Sequence, residues 1–235
     1  MSKLIVANWK MTYGPVKAGA WIRAFRRERL PKDLEVAVAI PHISLPAAKA
    51  SLGRASVPVL AAQNAAWGED GGLTGETSVA MLTEIGLSFC LVGHSERRLH
   101  LGETDEMVAK KAMSLQKGGI RPIVCVGETE AQKKKGKAEA LKAIRQQIQA
   151  VLPALRWEEK FPTPVFAYEP VWAIGSGKPC PPQDAKDVHE AIRDALRKKL
   201  GDAVADRVQI LYGGSVDPRN VADYLSTTHI DGVLV

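Results

Sequence analysis

Arg121-Pro122-Ile123-Val124-Cys125-Val126-Gly127-Glu128 decides the fold of this chain, because an apolar run of strand length stops at a glycine and a carboxylate. A strand with one face in water alternates apolar and polar residues, whereas near-continuous apolar character belongs to a strand covered on both faces, as in a parallel sheet beneath helices. Seven further runs read the same way: Leu4–Ala7, Glu35–Ala39, Val59–Ala62, Phe89–Val92, Val165–Ala167, Val208–Leu211 and Gly232–Val235. Helical periodicity fills the gaps, most clearly at Asp105–Gln116, Ala138–Leu152, Asp184–Leu200 and Asp217–Leu225. Asp105, Asp184 and Asp217 read as helix starts, Gly118 and Gly201 as stops. Eight alternations of strand and helix predict a closed (β/α)8 barrel, one domain over residues 1–235, with a doubly wound open sheet as the alternative.

Composition agrees with a large buried core: of 235 residues, 46% are hydrophobic and 25% charged. Met1-Ser2-Lys3 leads straight into an apolar strand, too short a run for a signal peptide, and no stretch reaches membrane-spanning length. A soluble, cytoplasmic protein is expected, with no membrane partner. Cys90, Cys125 and Cys180 are an odd number without metal-ligand spacing, so neither disulfides nor a metal is expected. The net charge of +6 gathers at Arg26-Arg27, Lys133-Lys134-Lys135 and Arg197-Lys198-Lys199. Acids are interspersed and no aromatic stacking platform accompanies them, so these read as solvated helix faces, not a nucleic-acid site. A positive field would still gather a small anionic substrate.

Polar residues cluster just past the strands. Asn8 and Lys10, Gln63 and Asn64, Gly93-His94-Ser95-Glu96, Gly127-Glu128, Glu169 and Tyr212-Gly213-Gly214-Ser215 would all meet at the carboxyl end of a barrel, the face where such folds do chemistry. Gly213-Gly214-Ser215, read as leading into a helix, would cradle an anion on its backbone N–H groups. In Ala167-Tyr168-Glu169-Pro170-Val171-Trp172-Ala173-Ile174-Gly175-Ser176-Gly177, a carboxylate stands where a strand ends and a glycine-hinged apolar loop begins. A closing loop would dry that carboxylate and equip it to take a proton from carbon. Blander readings exist: Glu169 as a surface residue before a proline turn, His94 as a loop histidine in an ion-pair network, and Lys10 as a surface lysine. His42, His100, His189 and His229 read as structural or solvated, while Trp21 and Trp157 cover core or interface surface.

Ala7-Asn8-Trp9-Lys10-Met11, Val92-Gly93-His94-Ser95-Glu96-Arg97-Arg98, Val124-Cys125-Val126-Gly127-Glu128-Thr129, the Pro170–Gly177 segment and Leu211-Tyr212-Gly213-Gly214-Ser215-Val216 together resemble the triosephosphate isomerase family from end to end. The resemblance implies interconversion of dihydroxyacetone phosphate and glyceraldehyde 3-phosphate without cofactor or metal. It implies that Glu169 is the base, His94 the electrophile at the substrate oxygens, and Lys10 and Asn8 substrate-binding, charge-stabilising residues. Gly175, Gly214 and Ser215 would hold phosphate. Glu96 would support Lys10, with Cys125, Glu128 and Tyr212 behind the site, and Pro170, Val171, Trp172, Ala173, Ile174, Gly175, Ser176 and Gly177 would form the lid. Gln63–Thr77 resembles the loop by which family members enter a partner subunit, implying a homodimer.

Three rival functions fit the fold. A Schiff-base aldolase would use Lys10 as nucleophile, a metal-dependent epimerase would need a His/Asp ligand cluster, and a barrel could bind without catalysing. The sequence departs from the family in two places. Lys178-Pro179-Cys180-Pro181-Pro182 stands where lysine, threonine and alanine are usual, and Pro179 fixes its own φ and restricts Lys178, narrowing the hinge of the lid. The sequence stops at Val235 within strand eight, so the C-terminal end reads as incomplete: roughly 15 or more further residues, a glycine-rich turn and then a helix, are expected in the native product.

Overall fold

The computed structural model describes residues 2–68, 70–174 and 179–235. Among them are eight strands: β1 Lys3–Asn8, β2 Leu34–Ile40, β3 Val59–Ala62, β4 Phe89–Val92, β5 Arg121–Val126, β6 Val165–Tyr168, β7 Gln209–Tyr212 and β8 Gly232–Leu234. Each pairs in parallel with its sequence neighbour, and β8 pairs back onto β1 with Leu4 opposite Gly232, which closes the barrel. The described helices are α1 Pro15–Phe25, α2 Leu45–Leu52, α3 Val79–Ile85, α4 Ser95–Leu101, α5 Asp105–Lys117, α6 Glu130–Lys134, α7 Lys137–Val151, α8 Pro182–Leu200, α9 Asp202–Ala205 and α10 Val221–Ser226.

Side chains sort by the two-residue period of the strands. In β5, Ile123 and Cys125 point into the barrel with Leu4, Val6, Phe89, Leu91 and Leu211, while Val124 and Val126 face the helices. In β6, Val165 and Ala167 point inward, Phe166 and Tyr168 outward. Small residues (Ala37, Ala39, Ala61) stand across from large ones, filling the interior without a pore. A strand buried on both sides has no polar face to show, which is why its run reads as unbroken.

Helix boundaries moved where local polar groups outcompeted the expected signals. Asp217 does not start α10: its carboxylate accepts the Arg219 N–H (2.7 Å) while its own N–H donates to Asn220 Oδ1 (2.9 Å), a local turn that delays the helix to Val221. Thr104 caps α5, its hydroxyl accepting the Met107 N–H at 3.2 Å, so Asp105 lies in the first turn; Asp184 likewise falls inside α8, after Pro182. Gly118 and Gly201 end α5 and α8 as expected. Val208 lies outside β7 because its N–H turns back to the Ala205 carbonyl at 3.1 Å. All three cysteines are free and buried. Trp21 stacks on Phe25 (4.7 Å, 10°) and meets Trp9 edge-on (5.2 Å, 82°) at the margin of the outer core. Among the described residues no helix is long and apolar enough to cross a membrane.

Candidate active site

Residues just beyond the strands continue their parity, so a side chain two positions past the last inward one also points inward. Asn8 comes after Leu4 and Val6, Gln63 after Ala61, Glu169 after Val165 and Ala167, and Gly213 after Leu211. Backbone hydrogen bonds extend the ladder to hold them: Glu169 N–H to the Val126 carbonyl (2.8 Å) and Gly213 N–H to that of Tyr168 (2.7 Å). His94 has the opposite parity and arrives by a turn. Gly93 takes φ +72°, and a β-carbon there would press within 2.9 Å of Val108 and Arg98. The reversed backbone delivers His94 as the N-cap of α4, its Nδ1 accepting the Glu96 N–H at 3.3 Å.

Glu169 is 2% exposed. Its Oε2 accepts the Ser95 N–H at 2.8 Å, while Oε1 has no hydrogen-bond partner among the described residues and lies 3.3 Å from His94 Nε2. An unpaired oxygen on a buried carboxylate costs stability, so its retention points to chemistry. Cys125 lies below, and burial, then the neighbouring Glu169, hold its thiol well above the ordinary range.

Lys10 stands at φ +49°, a costly conformation for a residue with a side chain. Two amide side chains grip it: Asn8 Oδ1 accepts the Lys10 N–H (3.0 Å) and Gln63 Nε2 donates to the Lys10 carbonyl (2.8 Å). The Lys10 ammonium meets Glu96 Oε1 at 2.6 Å. Partial burial alone would raise the Glu96 carboxyl, but the hydrogen bond and charge of Lys10 outweigh it and hold the group below its ordinary value.

Asn8, Lys10, His94, Glu169, Ile174 and the Gly213-Gly214-Ser215 turn enclose a cavity of about 180 Å³. A larger groove of about 650 Å³ between α7 and α8 is lined by Ile148, Leu152 and Ala195 and rimmed by Arg145 and Lys198. No buried acid or base faces it, so chemistry, not size, selects the site. The expected anion cradle needs correction, because α10 begins only at Val221 and its N-terminus does not adjoin the glycines. The Gly213 N–H is already spent on Tyr168, but the Gly214 and Ser215 amides have no acceptor among the described residues.

From Pro170 to Ile174 the lid segment makes a tight turn at Val171–Ala173, with Pro170 and Ala173 buried and Val171, Trp172 and Ile174 half-buried. The Trp172 indole and the Tyr168 hydroxyl both donate to Glu128 Oε1, at 2.7 and 3.1 Å, and the Lys133 ammonium lies 3.8 Å over the Trp172 ring. Ser215 Oγ donates to the Ala173 carbonyl at 2.7 Å, so its hydroxyl holds the lid in this state. Tyr212 accepts the Cys180 N–H at 3.0 Å. Gly175, Ser176, Gly177 and Lys178 lie outside the described residues. Gln63 and Ser95 were expected at this end of the barrel but without a role in the site. Gln63 carried a faint signal as the residue directly after β3; Ser95 acts through its backbone N–H, which no side-chain type announces.

A family model described as triosephosphate isomerase matches residues 3–235. The chain belongs to the triosephosphate isomerase family. Relatives named triosephosphate isomerase include that of Thermus thermophilus, 44% identical over 99% of this chain and 91% of the relative. Those of Acetivibrio thermocellus and Solibacter usitatus are 40% and 43% identical, each over 100% of this chain and over 93% and 94% of the relative. The reaction is therefore that of a triosephosphate isomerase, the interconversion of dihydroxyacetone phosphate and D-glyceraldehyde 3-phosphate, a step of glycolysis and gluconeogenesis. Such an isomerase needs one group to carry a proton between adjacent carbons and fixed donors where negative charge forms on oxygen.

Proposed function

We propose that Glu169 is the proton-carrying base of this triosephosphate isomerase. The observation that carries the reading is the free Oε1 of a buried carboxylate, beside His94 Nε2 in the same cavity. Oε1 takes the proton from one substrate carbon, the electron pair left behind forms the enediolate double bond, and the carbonyl oxygen gains negative charge. His94, with Nδ1 occupied by the Glu96 N–H, presents Nε2–H to that oxygen and exchanges protons with its neighbour. Glu169 then returns its proton to the adjacent carbon. Lys10 and the Asn8 amide stabilise the developing charge, and the Gly214 and Ser215 amides face the phosphate.

An enediolate bearing a phosphate on the next carbon expels it when exposed to water, so the Pro170–Gly177 segment serves as a lid against that loss. The Schiff-base alternative is disfavoured because the Lys10 amine is engaged as an ammonium by Glu96 at 2.6 Å, whereas carbonyl attack needs a free amine. Leu73 is exposed within Gln63–Thr77, and the exposed Met11 and Leu101 share a groove with Gly75, Glu76 and Thr77, an apolar margin that supports a homodimer in which that loop enters the partner. A cytoplasmic location goes with a small phosphorylated triose substrate. A coupled assay of glyceraldehyde 3-phosphate isomerisation on the parent and on Glu169→Gln tests the reading: turnover by the parent and its loss in the variant are expected. Near-parental turnover by Glu169→Gln would remove the Glu169 base from the scheme.

A further inference from the structure

Between Pro179 and Pro182 only Cys180 has a backbone N–H to offer, because Pro179, Pro181 and Pro182 have none. Two phenols take hold of this residue. Its N–H donates to the Tyr212 hydroxyl at 3.0 Å, and its carbonyl accepts the Tyr224 hydroxyl at 2.5 Å. The two rings stack, centroids 4.2 Å apart and 12° from parallel, and both are buried, Tyr224 at 1% exposure and Tyr212 at 0%. Tyr212 ends β7, immediately before Gly213-Gly214-Ser215, and Ser215 Oγ holds the Ala173 carbonyl. The chain leaving Glu169 is thus tied to the β7 end on both sides, at Ala173 and again at Cys180. Gly214 leaves the space this needs: a β-carbon there would lie 2.1 Å from the Tyr212 hydroxyl.

We propose that Tyr224, on α10 and outside the reaction cavity, is a positioning residue for the isomerisation: its hydroxyl and its stacked ring fix the Tyr212 hydroxyl and the Cys180 peptide, and so the point from which the lid closes. A hydroxyl is required because nothing else donates to the Cys180 carbonyl among the described residues. The ring is required because it backs the Tyr212 ring, whose own oxygen must reach the Cys180 amide. The inference rests on the reading that the segment after Glu169 closes over substrate.

Tyr224→Phe keeps the stack and deletes the donor. Measured on the full chain, kcat is expected to fall about five- to tenfold, the effect of one neutral hydrogen bond, with KM changed less. Hydrogen exchange at the Cys180 amide should quicken, and the share of turnovers that release inorganic phosphate should rise, the second of which a merely structural role would not produce. Because both phenols act through Cys180, the double variant Tyr212→Phe/Tyr224→Phe should be less impaired than the product of the two single effects. A kcat and phosphate release within twofold of the parent, or fully multiplicative effects, would overturn the proposal. Glu169→Gln, assayed alongside, separates the two levels: if it stays active the site assignment fails, whereas if it is inactive and Tyr224→Phe is normal only the role of Tyr224 falls.

Discussion

Ser95 and Glu169 are joined across the mouth of the barrel: the first backbone N–H of α4 donates to one oxygen of the carboxylate at 2.8 Å. The bond spans two loops, one after β4 and one after β6, and divides the carboxylate's work. Oε2 is anchored, while Oε1 is left to face His94 and the cavity. A base held at one oxygen loses little orientational freedom on binding substrate, which is how positioning lowers a barrier before any bond changes.

Glu169→Gln keeps the Ser95 contact through the amide oxygen but cannot accept a proton. We expect kcat to drop at least ~10²–10⁴-fold, the contribution of a positioned general base, with a much smaller change in KM and an unaltered fold. Steady-state kinetics with circular dichroism as control checks this; near-normal turnover would overturn the assignment.

His94 should carry its ring proton on Nε2, because the Glu96 N–H needs an acceptor at Nδ1. Nitrogen-15 NMR of the complex with a charged mimic of the enediolate is expected to show Nε2 protonated and Nδ1 bare. Two protonated nitrogens would rule this out.

The positions of Glu169 and His94 at this end of the barrel were legible because each follows shortly after a strand end, which sequence states directly. The strands were legible for a related reason, since burial on both faces leaves an unbroken apolar run, as in Ile123-Val124-Cys125-Val126. What stayed hidden acts through space or through the main chain. Gln63 bracing Lys10 spans 53 residues and Tyr224 reaching Cys180 spans 44, and no local pattern encodes either. The short helices α3, α6 and α9 are a turn or two long, below the length at which a 3.6-residue period declares itself. At Asp217 the same residue type serves a turn or a helix cap, and only its Asn220 and Arg219 contacts choose.

Acid should destabilise the fold through His189. The ring is fully buried on α8, with Nδ1 3.1 Å from the His229 carbonyl oxygen and Nε2 unpartnered among the described residues. Burial pushes its pKa down to about 3; the His229 carbonyl opposes this, and the charges of Arg193, His229 and Lys3 add to it. The unfolded chain titrates near 6.5, so the unfolded state binds more protons between the two values. The contribution is therefore complete above about pH 6.5 and is lost as pH falls toward 3, at up to ~1.4 kcal/mol per pH unit. Urea unfolding of the parent and His189→Asn at pH 7.5 and 5 should give a flatter pH dependence in the variant. Equal slopes would refute the role.

Assembly should show as a species of about twice the 25.4 kDa chain mass in sedimentation equilibrium. Leu73→Lys, which places a charge on the exposed margin of the Gln63–Thr77 loop, should raise the dissociation constant at least ~10-fold. A monomer at every concentration, or an unaffected dimer, would remove this loop from the interface.

The parity that aims Glu169 inward also sets where the gene tolerates changes in length. One residue added between Val165 and Glu169 would exchange the two faces of β6, sending the carboxylate among the helices and Tyr168 toward the mouth. The same addition in the exposed connection between α1 and β2, where the chain crosses the opposite end of the barrel, would shift no inward-facing side chain. The framework is therefore rigid in count from each strand to its polar residue and permissive elsewhere, so lineages can diverge in length at the far end without disturbing the chemistry.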